Sequence, residues 1–305
     1  MVTHWDDIAP RVVDVGDLRA RWRDLGRAAG SRRLGMRRCD IAPGGRSTPV
    51  HVHADEEEIF FVLRGDGLSW QDGRGHPVRP GDAIVHRTHE EAHTLLAGDD
   101  GLDVLAFGER AASNLAWLPR AGVMWTGPRW LPDGAHPYQQ EAAAGPLDWP
   151  AVEAERPETI VALSDVEARD WGQGDVAVLR RDLGRAAGSV ATGLKHVTVA
   201  PGALGTPPHC HTAEEELFVV LEGSGELLLG DDAPEPVRAG CAVARPAGTG
   251  VAHAFRAGPD GLVLLAYGQR DPGDICFYPR SGKVAIRGLK AVFRVQQLDY
   301  WDGEA

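Results

Sequence analysis

Hydrophobic residues along this chain come in short runs, each bounded by glycine, proline or acidic turn formers. IFFVLRG (59–65) and LFVVLEG (217–223) read as strands. GDGLSWQDGRG (65–75) and GSGELLLGDDAPE (223–235) follow them as hairpins. VRPGDAIV (78–85) and VRAGCAVA (237–244) are further strands, as are the runs within AHTLLAGDDGLDVLAFG (92–108) and AHAFRAGPDGLVLLAYG (252–268). Many short strands at this spacing predict an all-β sandwich or small barrel. Helices are few; DLRARWRDL (17–25) is the one expected near the start.

The same pattern occurs twice. RDLGRAAGS stands at 23–31 and again at 181–189, an offset of 158. The offset persists through PVHVHADEEEIFFVLRGDG (49–67) and PPHCHTAEEELFVVLEGSG (207–225). It becomes 160 where GLDVLAFGER (101–110) matches GLVLLAYGQR (261–270), as two residues inserted in loops would produce. A repeat of this length is a duplicated domain and not a solenoid. We therefore expect an N-terminal domain over 1–126 and a C-terminal domain over 159–305. Residues 127–158, with Trp130, Tyr138 and Trp149, read either as a linker or as a segment wrapping a domain. At the end of the chain, Tyr300 and Trp301 are expected to dock on a barrel.

Composition narrows the function. At 305 residues there is length for two domains, and 38 glycines with 21 prolines suit turn-rich β structure. Lys and Arg total 32 against 44 Asp and Glu, a formal charge of -12. That sign argues against a nucleic-acid binder and against an anionic membrane surface. No apolar run is long enough to span a membrane, and the first residues lack the basic and apolar regions of a signal peptide. The four cysteines, Cys39, Cys210, Cys241 and Cys276, form no CxxC pair. A cytoplasmic protein with reduced thiols is the expectation.

The chemistry resides in the repeated histidines. In His51-Val-His53 and His209-Cys-His211, period-two alternation points both imidazoles to one face and turns Cys210 away. A carboxylate follows five residues after each second histidine, Glu58 and Glu216, and a third histidine one hairpin later, His93 and His253. A turn one residue tighter would offer Glu57 or Glu215 instead. Three neutral imidazoles and one carboxylate suit a divalent first-row ion such as Fe, Mn, Co, Ni, Cu or Zn, one per domain. The ion would leave each site with a net positive charge, attracting an anionic small molecule. His86, His89, Glu90 and Glu91 make the first rim richer in titratable groups than the second; they read either as groups assisting the metal or as a solvated turn. Arg110 and Arg270 read as substrate anchors or as framework pairs.

These segments resemble the two motifs of the cupin superfamily. Gly45-RSTPV-His51-Val-His53-ADEE-Glu58-IFFVLR-Gly65 follows the first motif throughout, and the second copy departs from it only at Ala203. The second motif is partial: Pro246, Gly248 and His253 remain in PAGTGVAH, His93 alone in HRTHEEAH. The resemblance implies two jelly-roll barrels in tandem, a bicupin, each with a metal held by three histidines and one glutamate. It implies an enzyme acting on a small organic acid or an enol or phenol, similar to dioxygenases or oxalate-degrading enzymes, with Glu58 and Glu216 as catalytic bases. A metal-dependent isomerase or lyase and a non-catalytic binding bicupin are the alternatives. A homodimer is expected because cupins tend to pack sheet on sheet.

Overall fold

The computed structural model describes residues 1–110, 113–127 and 129–304. Its architecture is all-β: two open eight-stranded antiparallel sheets, each faced by a four-stranded sheet. In the N-terminal half, Glu58–Gln71 and His93–Glu109 form the central pair of the large sheet. Asp82–His86 flanks them on one side and Leu34–Ile41, Leu18–Asp24 and Arg11–Val15 on the other. The C-terminal half repeats this arrangement around Glu216–Leu229 and His253–Gln269. The facing sheets include Val52–His53 and Cys210–His211, so the second histidine of each HxH pair lies in the smaller layer while the first bridges to the long strand of the large sheet. No helix among the described residues is long and apolar enough to cross a membrane.

Gly65 and Gly223 explain the glycine that closes the motif. Both have positive φ, +78° and +76°, at an irregularity where the long strand bends. A Cβ at either would collide with the carbonyl oxygen of Gly101 or Gly261.

The helix expected over 17–25 is instead the strand Leu18–Asp24. Leu18, Ala20 and Trp22 are buried while Arg19 and Arg21 face water, a period of two that only a strand can satisfy. One helical turn follows, Leu25–Ala28, capped by Asp24, which accepts from the Arg27 amide at 2.9 Å. Tyr300 and Trp301 do not dock. They pack edge to face on each other at 4.8 Å and are 83% and 69% exposed, beyond the last strand, Ala291–Arg294.

Neither large sheet is drawn from one half of the chain alone. Val2–His4 pairs with Cys241–Arg245, and Ile160–Ala162 pairs with Asp82–His86. Between the halves the outer faces of the large sheets form one core, with Leu34, Ile59, Leu105 and Phe107 against Leu194, Leu217, Leu265 and Tyr267. The segment after Trp130 lies along the N-terminal half. Tyr138 packs on that barrel's core, and fully buried Glu141 accepts from Arg46 at 2.5 Å and from Arg120 at 3.0 Å. Trp149 remains 52% exposed.

The repeated RDLGRAAGS loops carry a reciprocal clasp. Buried Glu57 accepts from the Ser189 hydroxyl (2.6 Å), the Val190 amide (2.8 Å) and the Thr192 amide and hydroxyl (3.2 and 2.6 Å). Glu215 accepts from the amides of Arg32, Arg33 and Leu34 at 2.8, 2.5 and 2.8 Å. Each carboxylate thus satisfies the loop of the other half. Glu57→Ala, which strands those buried donors, is expected to lower unfolding free energy by about 2–4 kcal/mol. Denaturant titration checks this; a midpoint equal to wild type would show that the clasp contributes nothing.

Candidate metal centres

Strand pairing delivers the histidines to their cluster. His51 lies opposite His93 and His209 opposite His253, each pair exchanging backbone hydrogen bonds of 2.8–3.2 Å across the mouth of its barrel. Glu58 and Glu216 begin the long strands beneath them. In the N-terminal half, Oε2 of Glu58 lies 3.5, 3.4 and 3.1 Å from Nε2 of His51, His53 and His93. In the C-terminal half, Oε2 of Glu216 lies 3.7, 3.5 and 3.1 Å from Nε2 of His209, His211 and His253. Ligand atoms about 2.0–2.2 Å from one ion stand roughly 3–3.5 Å apart, so the four donors of the N-terminal half fit a shared metal. In the C-terminal half His209, Glu216 and His253 gather as one group, and His211 joins His209 through Cys276. Buried atoms left without a hydrogen-bond partner point the same way: Nε2 of His53, Nε2 of His253 and Oε2 of Glu216.

The imidazoles are oriented from behind. Nδ1 of His51, His209 and His93 donates to the carbonyls of Pro49 (2.9 Å), Pro207 (2.9 Å) and Glu91 (3.2 Å), which leaves each Nε2 lone pair toward the cluster. Burial pushes His93 down to about 3 and His253 down to about 4, so both are neutral, the form a metal needs. Burial also opposes ionisation of Glu58 and Glu216. The charge of His53 and the three imidazoles gathered around the carboxylate nevertheless hold Glu58 well below the usual carboxylate range. The closely placed imidazoles of His209 and His253 do the same for Glu216.

Around this common core the halves differ. Beside the first cluster, buried His86 stacks on His93 with ring centroids 3.8 Å apart and donates from Nδ1 to Glu91 at 2.8 Å. His89 and Glu90 face solvent, so only part of the titratable rim reaches the cluster. Beside the second, Nδ1 of His211 lies 2.6 Å from Oδ2 of Asp274. Although burial opposes it, that bond lifts His211 to about 11, and it carries Asp274 down to about 2. Cys276 pairs across the strand with His211 and joins a group with His209 and His211. Cys210 is buried outside every such group.

Sequence reasoning missed Asp274, Cys276 and Tyr278, whose ring stacks on His209 at 5.8 Å. Asp274 has Asn114 at the matching position, so the self-comparison that marks the histidines passes over it. Glu57 and Glu215 point away from the clusters into the clasp. Arg110 donates to the Ser31 carbonyl at 2.9 Å and Arg270 to that of Ser189, so both pin the clasping loops. All four cysteines are free and buried.

Residues 37–107 and 195–266 each match the cupin domain family. Over 64 residues the chain is 31% identical to the oxalate-binding protein of Thermotoga maritima. The match spans 21% of this chain and 53% of that protein, about half the length of the curated relative. Among solved structures, oxalate decarboxylase of Bacillus subtilis aligns with a TM-score of 0.59 at 17% identity, covering 88% of this chain and 76% of that one. The oxalate decarboxylase of Lactobacillus farciminis, in a formate complex, aligns with a TM-score of 0.59 at 16% identity, covering 88% and 86%. At these identities the structures share a fold.

His51→Ala with His53→Ala is expected to remove one metal equivalent per chain, and His209→Ala with His211→Ala the other, by elemental analysis of untagged protein. Asp274→Asn, which loosens the hold on His211, is expected to weaken the second centre about 10–100-fold and spare the first. Chelator competition reads this out; equal loss at both centres would contradict the assignment.

Proposed function

The chain is a two-domain member of the cupin superfamily, and from that premise we propose that it is a metal-dependent enzyme acting on a small carboxylic acid. The observation that carries the reading is the convergence of three Nε2 atoms on one carboxylate oxygen in both barrels. A bound first-row ion supplies Lewis acidity and, if it is Fe, Mn or Cu, one-electron chemistry. His51, His53, Glu58 and His93 would hold it in one half; His209, His211, Glu216 and His253 would hold it in the other.

A carboxylate substrate is supported by the oxalate that the Thermotoga relative is named for and by cations at both cavities. Arg11 and Arg37 line the first, Arg180, Lys195 and Arg287 the second. Glu58 and Glu216, kept ionised by the imidazoles around them, start as proton acceptors for the bound acid. The apolar walls, Phe60 in one barrel and Phe218 with Phe255 in the other, keep water from the reacting end. Dioxygen-dependent oxidation of the acid is the finer reading; the non-oxidative alternative uses the metal as Lewis acid alone.

The test is metal content of untagged protein together with acid consumption, carbon dioxide release and dioxygen uptake over a panel of small carboxylic acids. Two metal equivalents per chain and turnover abolished by the two histidine-pair variants combined are expected. Turnover without dioxygen uptake would replace oxidation with Lewis-acid chemistry. Absence of both metal and turnover would overturn the proposal.

A further inference from the structure

The C-terminal barrel holds a cation that the metal cluster does not use. Lys195 lies in Thr192–Val199 and lines both the cavity of the candidate metal centre and the adjoining vestibule. Its ammonium forms no ion pair or hydrogen bond with any described residue. Its neighbour across the strand, Asp182, is occupied: it caps the Arg185 amide at 3.1 Å and faces Arg270 at 3.7 Å. Burial pushes the Lys195 ammonium down from its ordinary value, with Glu216 and Asp182 only partly opposing it. An ammonium half-buried without a partner is unfavourable unless something else supplies the negative charge.

The sheet register sets the distance between this cation and the cluster. Lys195 is opposite Ala266, which is opposite Phe218; Gly193 is opposite Gly268, which is opposite Glu216. Lys195 and Glu216 are therefore two strands and two residues apart, about 12 Å between backbones by standard strand spacing. Gly193 and Gly268 place no side chain of their own beside Glu216; the Arg270 guanidinium lies over Gly193, 3.1 Å from where a Cβ would stand. Val197, Phe218, Phe255 and Leu264 line the cavity, whose volume is about 450 Å³. That volume lies in the range of pockets for drug-sized ligands, well above the needs of a two-carbon diacid.

We propose that the C-terminal barrel takes an organic acid with an apolar body, and that Lys195 is the specificity-determining residue that binds its carboxylate. The inference rests on the reading of the chain as an organic-acid protein and adds which acids it selects. The reacting end of the ligand lies toward His209, His211, Glu216 and His253, its body on the Phe218 and Phe255 rings, and its carboxylate on the ammonium. The first barrel does not repeat this device. The matching Arg37 is exposed and stands 4.0 Å from Asp24.

The experiment is calorimetric titration of the metal-loaded full chain with 3-phenylpropionate and with its uncharged amide. Wild type is expected to prefer the acid by roughly tenfold or more, the effect of one charge-assisted hydrogen bond. Lys195→Met should abolish the preference while still binding the amide, which reports an intact cavity, and Lys195→Arg should keep it. A preference that survives Lys195→Met, or is absent from wild type, overturns the proposal. Metal content and turnover of the same samples separate the two readings. Metal and turnover retained with no Lys195-dependent preference sink only this inference. A Lys195-dependent preference in a chain without metal or turnover sinks only the enzymatic one.

Discussion

The burial of Glu57 and Glu215 against the loops of opposite halves is the constraint on which the rest depends. A buried carboxylate is tolerable only when donors surround it, and here the donors come from the other copy of the repeat. Each half is thereby incomplete alone, and the exchange of Val2–His4 and Ile160–Ala162 between the sheets reinforces the dependence. Strand alternation then assigns the next residue. With Glu57 committed to the interface, Glu58 must face the barrel interior, and Glu215 and Glu216 repeat the logic. Adjacent glutamates thus serve the assembly of the two halves and the candidate metal centre.

The duplicated clusters are alike in donors and unlike in support. His86, neutral and stacked on His93, donates a hydrogen bond from Nδ1 to Glu91, forming a polar shelf beside the first centre. The second centre has instead a carboxylate gripping His211 directly, with Cys276 beside it. A carboxylate behind an imidazole raises its basicity as a ligand and fixes its ring; a stacked neutral ring fixes orientation alone. Equal donor sets therefore do not make the two barrels equivalent.

Charge is distributed against the overall balance. The protein carries a formal charge of -12, yet Arg180, Lys195 and Arg287 all line the C-terminal cavity. A local reversal of sign inside low-dielectric walls concentrates an anion where a uniformly acidic surface would repel it. Cations and apolar walls thus line the same cavity.

Much was legible in the residues themselves. The all-β class, the duplication and the histidine pattern follow from period-two alternation and fixed spacing, which act over a few residues along a strand. The same rule applied to 17–25 gives the strand and not the expected helix, since Leu18, Ala20 and Trp22 alternate in burial with the arginines between them. Tyr300 and Trp301 show the opposite failure, since aromatic identity says nothing of whether a surface lies within reach. What only the tertiary structure decided are pairings across long stretches of chain: Glu57 with Ser189 and Thr192, Asp274 with His211, and the placement of Lys195 two strands from Glu216. Such pairings carry no local signal, because they arise when sheets register and pack, and that register is a property of the whole core.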